Sequence, residues 1–307
     1  MAKRTKSYYW AILAGFLTVA TVTLAVTHWH KSSSNQTNSS TLQVVAAENF
    51  WGNITSQIGG NHVEVTSIIT NPSTDPHLYE SDAHDAAALS KASIVIENGL
   101  GYDDFMDKLM AASPNNQRQI LSVQKILNVT GDDPNPHLWY DTARVPEVAN
   151  TIEQALTAKD PKNATAYAAN LAKFNSSLQP ILDVINQIKT KYPNAAVAYT
   201  ERVPGYLLSA AGLDVKTPVG FAASIEEGND PSPNDTAIMD SLMTNHGVKV
   251  LLYNAQATST VTQHVRDLAN KAGIPVIGVT ETLPPSKHDY QSWQLDQAKA
   301  LLTALGG

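Results

Sequence analysis

Cysteine is missing from all 307 residues, which excludes disulfides, thiolate metal sites, a cysteine nucleophile and a lipid-bearing N-terminal cysteine. Any metal held by these side chains is held through nitrogen and oxygen. Acidic residues are missing from positions 1–31, which carry Lys3, Arg4, Lys6 and Lys31. The rest of the chain has 17 basic residues against 28 acidic ones, a formal charge of −11. A body so charged is not expected to bind nucleic acid. No Gly-x-x-x-x-Gly-Lys-Ser/Thr loop occurs, so ATP hydrolysis is not expected here. His-Glu-x-x-His and Gly-x-Ser-x-Gly are absent too, which removes two common hydrolase signatures.

What is present begins with a targeting segment. The basic end is followed by an uncharged stretch, residues 7–27, with Trp10, Ile12, Leu13, Phe16, Leu17 and Leu24. Its length suits the roughly 20 residues of a membrane-spanning helix, with the basic end cytoplasmic. Thr23-Leu24-Ala25 offers an alternative cleavage site. An uncleaved anchor over residues 1–31 is expected, then a polar tether over residues 32–41. The body would sit on the outer face of the cell membrane, or be secreted if the segment is cleaved.

Two short stretches echo each other: Asp75-Pro-His-Leu-Tyr-Glu80 and Asn135-Pro-His-Leu-Trp-Tyr-Asp141. Each sets a histidine behind a proline and ahead of a leucine and an aromatic. The proline restricts the local backbone, and a neutral imidazole is a metal ligand. None of the other seven histidines shares that context, so His77 and His137 are the candidate ligands.

From residue 42 onward, strand and helix signals alternate in the order that builds parallel sheets covered by helices. Strands are expected at residues 42–47, 63–70, 93–97 and 119–123, with helices at 49–58, 81–91 and 103–112 between them. Residues 142–191 break the alternation with a helical pattern interrupted at Asp160-Pro161 and kinked at Pro180. This segment reads as a spine between an N-terminal α/β lobe, residues 42–141, and a C-terminal α/β lobe, residues 192–307. The second lobe has expected strands at 195–199, 248–253 and 274–279, and helices at 203–211, 259–272 and 293–305.

Sheets of this kind bind ligands beyond the carboxyl ends of their strands. Glu201 follows the strand at 195–199, and Glu281 follows the strand at 274–279. Two imidazoles from one lobe and two carboxylates from the other could therefore meet in an interlobe cleft.

Taken in order, the two histidine motifs, Asn98-Gly-Leu-Gly-Tyr-Asp103, Glu227-Gly-Asn-Asp-Pro-Ser-Pro233 and Thr280-Glu-Thr-Leu-Pro-Pro285 resemble the solute-binding proteins of the zinc/manganese family of ABC importers, the cluster A-I metal-binding lipoproteins. The resemblance covers about residues 42–305. It implies two lobes of parallel sheet flanked by helices, a long rigid linking helix and a metal cleft between the lobes. On its motifs, His77 and His137 fall on histidine ligands, Glu201 on a position that varies between histidine and carboxylate, and Glu281 on a carboxylate commonly occupied by aspartate. Asp75, Glu80 and Asp141 are expected to support the imidazoles from behind.

The resemblance further implies a monomer that captures a divalent ion and passes it to an ABC permease and its ATPase subunit. Zinc-type relatives often carry a third histidine and a long histidine-rich loop, which this chain lacks. Two nitrogens and two carboxylates favour a harder ion, which ranks manganese first, zinc second and ferrous iron third. A metallohydrolase and a surface adhesion protein are the alternative readings. The acidic stretch around Glu226 and Asp230 reads as a solvated loop.

Overall fold

A computed structural model describes residues 41–71, 79 and 82–307. The expected anchor, most of the tether and the His77 motif apart from Tyr79 lie outside the described residues. Among the described residues, no helix is long and apolar enough to cross a membrane.

The first lobe reads β1 Leu42–Glu48, α1 Asn49–Gly59, β2 Val63–Ile69, α2 Ala83–Lys91, β3 Ile94–Glu97, α3 Phe105–Ala112, β4 Gln119–Ser122 and α4 Val123–Ile126. Its four parallel strands lie in the order β2-β1-β3-β4, with Val44 paired to both Val65 and Ile94. Central parallel strands are buried on both faces, and β1 is almost wholly apolar for that reason. α1 follows β1 directly and buries Phe50, Trp51, Ile54 and Ile58 along one face. It stops at Gly60, whose φ of 57° suits a residue without a side chain.

Three helices rather than one make the linking segment: α5 Val145–Lys159, α6 Ala164–Ser177 and α7 Gln179–Lys191. The first break falls at Asp160, whose Oδ2 accepts from Asn163 Nδ2 at 2.6 Å and from the Tyr167 hydroxyl at 2.8 Å. The second falls at Leu178, because Pro180 has no N–H to offer the carbonyl of Ser176. α5 and α6 pack on α1, whereas α7 packs in the second half of the molecule.

That half reads β5 Ala196–Tyr199, α8 Gly205–Ala210, β6 Asp214–Val215, α9 Val219–Glu226, α10 Pro233–Thr244, β7 Leu251–Asn254, α11 Thr260–Lys271, β8 Val276–Val279 and α12 Tyr290–Ala304. Its parallel strands lie in the order β6-β5-β7-β8. β6, α9 and α10 are elements that the sequence pattern did not reveal. The C-terminal α12 packs on α7 and also touches α1, so the chain returns to its first lobe.

Alternation along the strands divides the core. Val44, Ala46, Ile94 and Ile96 share one cluster with Val197, Val250 and Leu252 of the other sheet, together with Trp139, Tyr290 and Trp293. Val45, Ala47 and Val95 face a separate outer cluster, and Ala198 and Leu251 face another. The inner faces of both sheets thus bury into one continuous core. Phe50 stacks on Trp139 within it, with ring centroids 4.1 Å apart.

Candidate metal centre

His137 lies where a loop enters the short helical turn Leu138–Tyr140, and it is fully buried. Its tautomer follows from the neighbours. Asn135 Nδ2 donates to the carbonyl of Arg202 at 2.8 Å, a group that can only accept. Asn135 therefore turns Oδ1 toward His137, where it meets Nδ1 at 2.7 Å and the backbone N–H at 3.1 Å. The ring proton sits on Nδ1. Nε2 is left as the lone-pair atom, and it lies 3.7 Å from Glu281 Oε2.

Glu201 and Glu281 come from the second lobe, each just beyond a strand end, and are 1% and 0% exposed. Asn254, the last residue of β7, bridges them by donating from Nδ2 to Glu201 Oε2 and to Glu281 Oε1, both at 2.7 Å. The orientation of this amide is fixed because its Oδ1 accepts from the Gln256 N–H at 3.0 Å. The Tyr102 hydroxyl, from the first lobe, donates to Glu281 Oε2 at 3.0 Å. The loop carrying Glu281 is fastened on several sides. Gln256 Oε1 accepts from the N–H groups of Glu281 and Thr282 at 2.5 and 3.0 Å, and Asn49 exchanges two bonds with Leu283. The Tyr140 hydroxyl, its pKa raised chiefly by burial and then by Glu281, donates to Thr280 O at 2.8 Å.

Two buried carboxylates and an imidazole lone pair, drawn from both lobes, make a set of donors for a cation. Buried charge of one sign requires compensation. The 3.7 Å between His137 Nε2 and Glu281 Oε2 admits one ion about 2.0–2.3 Å from each.

Of the candidate ligands, the structure places His137 beside Glu281 and links Glu281 to Glu201 through Asn254. His77, Asp75 and Glu80 lie outside the described residues. Asp141 does not reach the imidazole: its carboxyl lies beside Arg144 and Glu147, with burial raising its pKa, and Asn135 holds Nδ1 instead. Glu226 departs from the solvated-loop reading, since it is 7% exposed and grips Arg202 at 2.7 and 3.2 Å, whereas Asp230 is exposed. Arg202 also reaches Asp133 Oδ1 at 2.9 Å across the cleft. Asn135, Tyr102, Asn254 and Gln256 were not singled out from sequence, although Asn254 obeys the same strand-end rule as the glutamates.

A second trio of ligand-type side chains, Asp82, His84 and Asp85, lies at the start of α2. It is a helix cap. Asp82 Oδ1 accepts from the N–H groups of His84 and Asp85, and Asp85 Oδ2 accepts from the Asp82 N–H and the Tyr79 hydroxyl.

Two parallel α/β lobes that share a core, with two buried carboxylates and a buried imidazole where they meet, define a two-lobed cleft protein. Residues 44–304 match the family described as zinc-uptake complex component A, periplasmic, and the chain belongs to that family. The manganese-binding lipoprotein MntA of Halalkalibacterium halodurans is 26% identical over 56% of this chain and 59% of its own length. The manganese ABC transporter substrate-binding lipoprotein PsaA of Streptococcus pneumoniae is 30% identical over 49% of this chain and 52% of its own. The chain thus spans little more than half the length of these curated relatives. By their names one is a manganese-binding lipoprotein and the other the substrate-binding lipoprotein of a manganese ABC transporter. Among solved structures, manganese-bound FpvC of Pseudomonas aeruginosa superposes with a TM-score of 0.73 at 23% identity, over 86% of this chain and 98% of that one. The periplasmic zinc-binding protein TroA of Treponema pallidum gives 0.73 at 16%, over 86% and 99%. At such identities the likeness establishes the fold.

Proposed function

We propose that this protein captures one divalent transition-metal ion outside the cytoplasmic membrane and delivers it to an ABC permease driven by a separate ATPase subunit. The observation that carries this reading is His137 Nε2 set beside Glu281, which a single amide bridges to a second buried carboxylate, Glu201. His77 is the proposed fourth ligand. One chain supplies the whole set, so a monomer suffices.

Manganese is the first choice of cargo, then zinc, then ferrous iron. Oxygen-rich donors favour the harder ion, although zinc outranks manganese in intrinsic affinity for most sites of mixed nitrogen and oxygen. The names of the relatives support the same short list, with manganese for MntA and PsaA and iron for MtsA of Streptococcus pyogenes. Those relatives are lipoproteins by name, yet this chain has no cysteine to carry a lipid. The apolar segment at residues 7–27 is the proposed attachment to the membrane in its place.

The test is titration of the stripped soluble body, residues 32–307, with manganese and zinc in turn, by calorimetry and melting temperature. Saturable one-to-one binding is expected, lost in His137→Ala and Glu281→Ala. A ligand at 100 times its Kd adds about 2.7 kcal/mol to the native state, which the melt resolves. No binding of either ion would overturn the reading.

A further inference from the structure

Glu48 ends β1 at the carboxyl edge of the first sheet and is wholly buried. Among the described residues, no donor of another residue reaches either of its carboxyl oxygens. The group lies instead within hydrogen-bonding reach of the Asp103 carboxyl, which is 4% exposed. Two carboxyl groups in contact and out of water do not both stay ionised. The surrounding donors decide which of them keeps the proton. Asp103 accepts the backbone N–H of Asn98 at 2.6 Å and that of Gly99 at 2.8 Å, two bonds that favour its anion, whereas the anion of Glu48 is favoured only by its own backbone N–H.

The other charged groups leave that assignment in place. Glu97, at the end of β3, faces both carboxyls and adds repulsion. Lys125 on α4 acts on Glu97, which is also near Asp107 on α3 and bonded to Ser122. Burial first, then Asp103, holds Glu48 well above the usual carboxylate range.

The pair sits beneath a turn that touches the metal centre. Gly99, Leu100 and Gly101 all take positive φ, at 82°, 61° and 78°, a conformation that a side chain such as that of Leu100 resists. The two N–H bonds to Asp103 close this turn. From it, Tyr102 donates to Glu281 and sets its ring edge-on to His137, and Asn98 Nδ2 donates to the carbonyl of Pro136 at 2.8 Å. One turn therefore contacts ligand residues or their supports in both lobes.

We propose that Glu48 and Asp103 share a single proton, carried by Glu48, and that this pair is the positioning device which holds Tyr102 against Glu281 in the metal centre. The functional half of this statement rests on reading the cleft as a metal site. The shared proton does not.

Infrared difference spectra of metal-free protein labelled at glutamate carboxyls test the proton directly. A protonated-acid carbonyl band is expected at neutral pH and is lost in Glu48→Gln. Its absence from the wild type would overturn the pair, whether or not metal binds. Metal affinity tests the positioning. Tyr102→Phe and Glu48→Leu are each expected to weaken binding about tenfold, in the range of groups that support ligands. The two losses should not add in the double variant, because both act through one hydroxyl. Glu48→Gln, whose amide still donates to Asp103, should recover most of the affinity that Glu48→Leu loses. Additive losses, or an unchanged affinity in Tyr102→Phe, would overturn the positioning role even with the proton in place. If Glu48→Leu fails to fold, the Tyr102→Phe and Glu48→Gln measurements still decide. A wild type that binds no metal would sink the metal reading and leave the infrared result standing.

Discussion

At the scale of single residues, two asparagines do work that charge cannot. Asn135 holds His137 in one tautomer and ties it to the opposite lobe, and Asn254 separates two carboxylates by donating to both. Asn135→Ala is expected to weaken metal binding by about 10–100-fold, the cost of losing the group behind a ligating imidazole, as measured by calorimetry. Asn254→Leu removes the shared donor. The metal-free protein should lose about 1–3 kcal/mol for each buried acceptor left unmade. Its melting temperature should then rise more on metal addition than that of the wild type, because the ion restores the missing compensation. A pH prediction belongs here as well. Burial pushes Asp103 up to about 6 and Glu48 above its usual range, so the folded state keeps protons that the unfolded chain has released. Their stabilising contribution is complete below about pH 4 and is lost as pH rises through about 6 and beyond. In urea titrations of metal-free protein, Glu48→Gln should flatten this decline. His137 and the two glutamates were legible because proline-histidine context and strand ends mark them. Asn135 stood inside the same motif, but asparagine before proline is also an ordinary turn former, and nothing in spacing tells the two roles apart.

At the scale of elements, strand-helix alternation was legible because β1, β3, β5 and β7 are short apolar runs bounded by turns. Asp160 and Pro180 announced the breaks in the linking segment through local chemistry alone. β6 escaped because two residues carry no period. α9 escaped because Val219–Glu226 is short and nearly all apolar, which does not distinguish helix from strand. α10 had a readable start, with Ser232 capping the N–H of Asp235 and Pro233 in the first turn, followed by Met239 and Met243 on one face. The joints between elements are set by side chains with no sequence signature. Asn49, at the head of α1, exchanges two hydrogen bonds with Leu283 in the loop after Glu281, at 2.8 and 2.9 Å. Asn49→Ala should therefore lower stability by about 1–3 kcal/mol in denaturant unfolding. It should also weaken metal binding, since it frees one side of a loop that carries a ligand.

For the whole molecule, the decisive fact is that the lobes share one core. Phe50 and Trp139 of the first half stack together, and Trp293 and Tyr290 of the last helix pack against them. The Tyr290 hydroxyl donates to Trp139 O at 2.5 Å, and Tyr140 and Trp293 both bond Thr280. A wide hinge opening would expose this joint. Each large aromatic buries about 150–250 Å², so re-exposing even one costs about 4–6 kcal/mol. One ring is thus comparable to the roughly 5.5 kcal/mol of differential affinity that a ligand needs to swing an equilibrium from 1:99 to 99:1, and two exceed it. Cargo binding alone cannot drive several such rings in and out of water. Capture and release must then proceed through the ligand loops and the polar contacts across the cleft, such as Arg202 to Asp133, whose exposed end makes it inexpensive to break. Metal-free and metal-loaded protein should therefore superpose lobe on lobe, with differences confined to those loops. Small-angle scattering should give the same radius of gyration for both. A rotation of one lobe against the other on loading would show that the shared core is not the barrier argued here.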